Sequence, residues 1–240
     1  MVALKMKRIK DIFVQKKRRL PLHIGYNCTA FRRRALALDD PGERSSFIRS
    51  YLQQIEEVHA SCVAKDVPIL SFLLLRPTKN ALDEPMVQSL TAFFERLAVS
   101  SSIAEHQVKI SVLGKWYDLP SKLVDAIKLM LEETKGFDRH FLNFCLFYDG
   151  QDELVDGMHL LLTKIRHERI EPEVDYASIK EHLSSSYFLP PDLFIIPDDR
   201  RRTDGLFLWD SKNTLLFLDE RPFEAGKAAL EDALAMFQKR

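Results

Sequence analysis

Residues Val67–Leu75 read VPILSFLLL, and Ser71 is the one polar side chain in the run. A strand with no polar face has to be covered on both sides, as inside a parallel sheet. Leu142–Tyr148 (LNFCLFY) has the same character, and Val108–Leu113 and Asp192–Ile196 are further strand candidates. Segments of helical spacing lie between them. From about Glu43 to Ala64, the residues Phe47, Tyr51, Ile55, Val58 and Cys62 fall on one face. A break at Asp39-Asp40-Pro41-Gly42 precedes that helix. Asp83 is a candidate cap for the next helix, with Pro85 in its first turn. The apolar face of that helix, Leu90, Phe93, Phe94 and Leu97, suits either an ordinary core or the wall of a tunnel. Helices are also expected over Leu119–Thr134, Gln151–Arg166, Tyr176–Leu183 and about Phe223–Gln238. Short strands are expected at Pro21–Asn27, Leu206–Trp209 and Thr214–Leu218.

This alternation predicts an α/β fold with a mainly parallel central sheet flanked by helices. The 240 residues suit a single domain, and neither a dividing linker nor an internal repeat interrupts them. The expected organisation is an arm over residues 1–20 followed by one domain over 21–240.

The formal charge is zero but unevenly placed. Residues 1–20 hold eight Lys/Arg against one acid, a net +7, so residues 21–240 hold −7. Ile9, Ile12 and Phe13 have helical spacing within the basic arm, which suits contact with an anionic membrane surface. A solvated, frayed arm is the other reading. The acidic body does not suit a nucleic-acid partner. Cys28, Cys62 and Cys145 make no disulfide framework. A reducing cytoplasm is therefore the expected setting, with any membrane contact peripheral. The longest apolar runs fall well short of the roughly 20 residues a spanning helix needs.

No phosphate-loop, dinucleotide or nucleophile-elbow motif is present, and the seven histidines lack metal-ligand spacing. Ligands of a parallel sheet sit outside the carboxyl ends of the strands. The loops concerned are Cys28–Leu36, Arg76–Asn80, Asp149–Gln151 and Pro197–Gly205. The first and last each contain three consecutive arginines, suited to phosphate oxygens or to a solvated turn. Asp198 and Asp199, with Asp204 close behind, either bind a divalent cation or pair with Arg200–Arg202.

Three blocks carry a family resemblance. His23 is followed six residues on by Thr29-Ala30-Phe31-Arg32-Arg33-Arg34-Ala35; the middle block is LNFCLFYDGQDELVDG; the last runs from Pro191-Asp192-Leu193-Phe194-Ile195 through Arg202 to Leu206-Phe207-Leu208-Trp209. From about residue 20 onward the chain resembles the cis-prenyltransferases, the undecaprenyl and dehydrodolichyl diphosphate synthases. The resemblance implies an undecaprenyl diphosphate synthase-like fold. In those enzymes a first-loop carboxylate holds Mg²⁺ against an allylic diphosphate, and arginines and a serine bind isopentenyl diphosphate.

The chemistry-bearing positions of that pattern are changed. Thr29 stands at the metal carboxylate and Phe31 at an amide donor. Ala30 replaces a glycine, which hinders phosphate approach if its φ is positive. Leu75–Lys79 replaces the Phe-Ser-x-Glu-Asn loop. Ile196 stands at an arginine, Asp204 at the serine and Leu215 at a late metal-assisting glutamate. Arg33 and Arg202 remain as diphosphate-type donors. The resemblance therefore implies a non-catalytic accessory subunit of a heteromeric synthase of long-chain polyprenyl diphosphate. Such a subunit would bind no metal itself, with Mg²⁺ in a catalytic homologue as its partner. Accessory subunits of this kind end in Arg-x-Gly, and residues 236–240 (MFQKR) do not. Two alternatives stay open: a diverged prenyltransferase with a metal site rebuilt on Asp198 and Asp199, and a homodimeric binding protein using the old lipid cavity.

Overall fold

The computed structural model describes residues 20–78, 82–168, 174–198, 200–221 and 226–239. The basic arm, Leu20 excepted, lies outside the described residues, as does Asp199. Strands β1 (His23–Asn27), β2 (Ile69–Leu75), β3 (Val108–Leu113), β4 (His140–Leu146), β5 (Leu193–Ile196) and β6 (Leu215–Leu218) form one sheet in the order β3-β4-β2-β1-β5-β6. Every pairing in it is parallel. All seven residues of β2 are buried, as its unbroken apolar run predicts. They alternate between layers: Leu70, Phe72 and Leu74 enter the main core, and Leu73 enters a second cluster on the opposite face.

The helices are α1 (Ala30–Leu36), α2 (Pro41–Ala64), α3 (Glu84–Ala98), α4 (Ser101–Glu105), α5 (Ser121–Thr134), α6 (Gly150–Glu168), α7 (Tyr176–Glu181) and α8 (Gly226–Gln238). The main core draws on α1 to α5, α8 and one face of the sheet. Helix α2 begins at the expected break, where the Asp40 carboxylate accepts the Glu43 amide at 2.7 Å. Asp83 corrects the capping expectation, because it makes no side-chain cap to α3. Its carboxylate accepts instead from Arg44 at 2.6 Å, tying the start of α3 to the first turn of α2.

Between α2, α3 and the sheet the interior is filled. Phe144 lies 5.7 Å from Phe93 and 5.4 Å from Phe94, both edge-on, and 6.2 Å from Phe72. Leu90, Phe93, Phe94 and Leu97 are all buried there, so the ordinary-core reading of that face holds.

One expected strand is absent. Leu206–Trp209 is a turn, with Asp204, Gly205 and Phe207 at positive φ (50°, 76° and 46°). That geometry breaks an extended backbone and drives Leu206 and Phe207 into the second cluster as a plug. The apolar run anticipated the burial of Leu206 and Phe207 but not the conformation, and Leu208 is exposed.

Candidate functional site

The loops after β1, β2 and β5 meet at the carboxyl ends of the strands around a cavity of about 560 Å³. Its described charged lining is Arg32, Arg33, Arg76, Arg200, Arg202, Asp198 and Asp204, five cations against two anions. The floor is apolar and includes Leu36, Leu74 and Leu75.

Asp204 is the hub of the site. One carboxylate oxygen accepts from Asn27 Nδ2 at 3.1 Å and lies in close hydrogen-bond contact with the Thr29 hydroxyl. The other oxygen lies 3.2 Å from Arg76. The Thr29 hydroxyl also lies 2.8 Å from Asn27 Oδ1, and its single proton serves the ionised carboxylate as the stronger acceptor. Asn27 Oδ1 then accepts the Thr29 amide at 3.0 Å. Asn27 Nδ2 also donates to the Arg202 carbonyl, closing the last loop against the end of β1. The second arm of Arg76 reaches Asp149 at 2.9 Å. Burial pushes the Asp149 carboxyl up, but the Gln151 amide and Arg76 outweigh it and hold the group below the usual carboxylate range. Arg33 donates to Asp198 at 2.9 Å.

The structure thus brings Thr29, Arg33, Asp198, Arg202 and Asp204 to one cavity. Three expected site positions lie elsewhere. Phe31 is buried against Tyr51, with ring centroids 4.6 Å apart, and no part of it faces the cavity. This corrects the expectation of a ring at a donor position. The segment is helical, so Phe31 and Ala35 share an inward face while Arg32 and Arg33 turn outward. Ala30 also departs from expectation: it opens α1 and is not among the residues at positive φ, so no strain attaches to it. Ile196 is buried at the end of β5. Leu215 opens β6 opposite Leu193, at the amino ends of the strands and away from the cavity.

Asn27, Arg76 and Asp149 complete the network without having been singled out as site residues. Their signal was placement, since each stands at or just beyond the carboxyl end of a strand.

The donor set does not suit the Mg²⁺ that the resemblance implies. Magnesium takes hard oxygen ligands, chiefly carboxylates. Thr29 offers a neutral hydroxyl, and the carboxylates of Asp198 and Asp204 already accept from guanidinium groups. Among the described residues no group of three or more His, Cys, Asp or Glu is placed to share a metal ion. Asp198 pairs with Arg33 rather than with the neighbouring arginines expected from sequence.

The family described as "Putative undecaprenyl diphosphate synthase" matches residues 42–240. The chain belongs to this family. Among its prenyltransferase relatives is a tritrans,polycis-undecaprenyl-diphosphate synthase (geranylgeranyl-diphosphate specific) of Methanocaldococcus jannaschii. The two are 30 % identical over 59 % of this chain and 51 % of that protein, so this match spans about half the relative's length. The enzyme of the same description from Methanopyrus kandleri is 28 % identical over 94 % of this chain and 84 % of its own length. Lavandulyl diphosphate synthase from Lavandula x intermedia, solved with dimethylallyl diphosphate, superposes with a TM-score of 0.80 at 21 % identity. That superposition covers 92 % of this chain and 97 % of the other, and it establishes the shared fold.

No described helix is long and apolar enough to cross a membrane.

Proposed function

We propose that this prenyltransferase-family chain is a non-catalytic subunit of a synthase of long-chain polyprenyl diphosphate, working with a catalytically complete homologue. One observation carries the reading: Arg33 and Arg76, two of the cavity's five arginines, face carboxylates of the same chain, and a neutral Thr29 stands at the head of the first loop. Metal-assisted departure of a diphosphate needs charge compensation at the leaving oxygens. Guanidinium groups neutralised by Asp149, Asp198 and Asp204 supply little of it. In this reading Mg²⁺ and the reacting diphosphates belong to the partner's site.

The outer face of α6 supports a partner. Val155, Met158 and Leu162 share one face of this helix and are all about half exposed. An exposed apolar face of that kind is characteristic of an interaction surface.

The test is a transferase assay with isopentenyl diphosphate, an allylic diphosphate and Mg²⁺. The chain is assayed alone and after co-expression with an intact family member from the same genome. Little turnover alone and a rise in the partner's turnover on addition are expected. Elongation by the purified chain unaided rejects the reading.

A further inference from the structure

The cavity at the strand ends is strongly cationic, yet its best-directed donors already serve an anion. Asn27 Nδ2, the Thr29 hydroxyl and Arg76 come from the ends of two neighbouring strands and converge on the two oxygens of Asp204. A tetrahedral phosphate oxygen would demand the same convergence of neutral and cationic donors. Arg200 and Arg202 line the cavity as well, and neither has an ionic partner among the described residues.

We infer that Asp204 is a resident anion: its carboxylate occupies an anion site made by Asn27, Thr29 and Arg76, and keeps phosphate-class ligands out of a cavity otherwise charged to receive them. The carboxylate is tethered, so it competes at the high effective concentration of an intramolecular ligand. Once inside, it also repels any second anion brought to the same donors. The loop that carries it is set for this. Asp204 and Gly205 both hold positive φ, which turns the side chain back toward β1. Gly205 is pressed against Gly150, where a Cβ would lie 2.2 Å from the Gly205 carbonyl oxygen. The loop is therefore held from behind by the start of α6.

The inference deepens the proposed silent role, but it is tested by binding alone. A negative binding result leaves the partner assay intact, and a failed partner assay leaves the binding result intact.

The experiment is calorimetric titration of the full chain with inorganic pyrophosphate, comparing wild type with Asp204→Asn, Asp204→Gly and Asp198→Asn. Asn and Gly both accept the positive φ at this position. A thermal melt of each protein confirms that it is folded, and the glycine variant carries the test if the asparagine one is not. The expected result is affinity at least ~10-fold higher for the Asp204 variants than for wild type, with little gain in Asp198→Asn. Asp198 lies in the same cavity but outside the convergent donor set, so it controls for bulk charge. Equal affinity in wild type and the Asp204 variants overturns the inference. So does the absence of binding in all four proteins, or a gain in Asp198→Asn as large as that in the Asp204 variants.

Discussion

His23 Nε2 lies 2.8 Å from the Ser71 hydroxyl, inside the sheet where β1 runs beside β2. Its Nδ1 lies 2.6 Å from the Leu189 carbonyl, which can only accept, so Nδ1 carries the proton. Nε2 then accepts from Ser71, whose oxygen accepts in turn from Asn143 of β4 at 2.9 Å. This histidine belongs to the His-x₅-Thr block of the family resemblance, and here it joins strands rather than facing the cavity.

Burial lowers the His23 pKa to about 4, and burial does the same to His59. Both values lie below those of the unfolded chain, so the unfolded state binds more protons between roughly pH 6.5 and 4. The contribution of each neutral histidine is complete above pH 6.5 and is lost as pH falls. By pH 5 the loss is about 2 kcal/mol for each group. Urea unfolding followed from pH 7.5 to pH 5 is expected to register this fall, and a flat profile over that range would contradict it.

Gly150 is a packing requirement at the start of α6. A Cβ there would lie 2.2 Å from the Gly205 carbonyl oxygen, and backbone cannot move aside as a side chain can. Gly150→Ala is expected to cost about 2 kcal/mol or more. Gly136 has nothing within 4 Å of a built Cβ, so Gly136→Ala is expected to be nearly neutral. Thermal unfolding of the pair checks the contrast.

Phe144 is fully buried among Phe72, Phe93 and Phe94. Phe144→Ala leaves a void that rigid strands on either side cannot close, at an expected cost of about 3–5 kcal/mol. Denaturant titration measures it. A cost below ~1 kcal/mol would mean the aromatic layer repacks freely.

The outer face of α6 supplies a test of partnership that leaves folding alone. Met158→Glu and Leu162→Glu alter half-exposed positions, so each is expected to shift stability by no more than ~0.5 kcal/mol. Co-purification with an intact homologue is expected to fall sharply in both. Retained co-purification would place the interface on another surface.

The pattern of the chain alone was enough for the layered α/β architecture, because it rests on burial, and burial is written in side-chain type. The unbroken run of β2 had to be interior, and the one-sided helix over residues 43–64 had to lie on it. The same logic stopped short at Leu206–Trp209, where the side chains are apolar but the backbone is turned by positive φ at Asp204, Gly205 and Phe207. It stopped again at Phe31, because the choice between loop and helix decides whether that ring faces ligand or core.

At the cavity, the sequence by itself determined which chemical groups are present: arginines in three loops, a neutral Thr29, and a carboxylate at Asp204. Only the tertiary structure decided which of them face one another. Arg76 and Asp204 are 128 positions apart along the chain but lie in ion-pair contact at 3.2 Å. Parallel crossover connections bring the carboxyl ends of distant strands side by side. The pairing of charge with charge is therefore a property of strand order, which no local run of residues encodes.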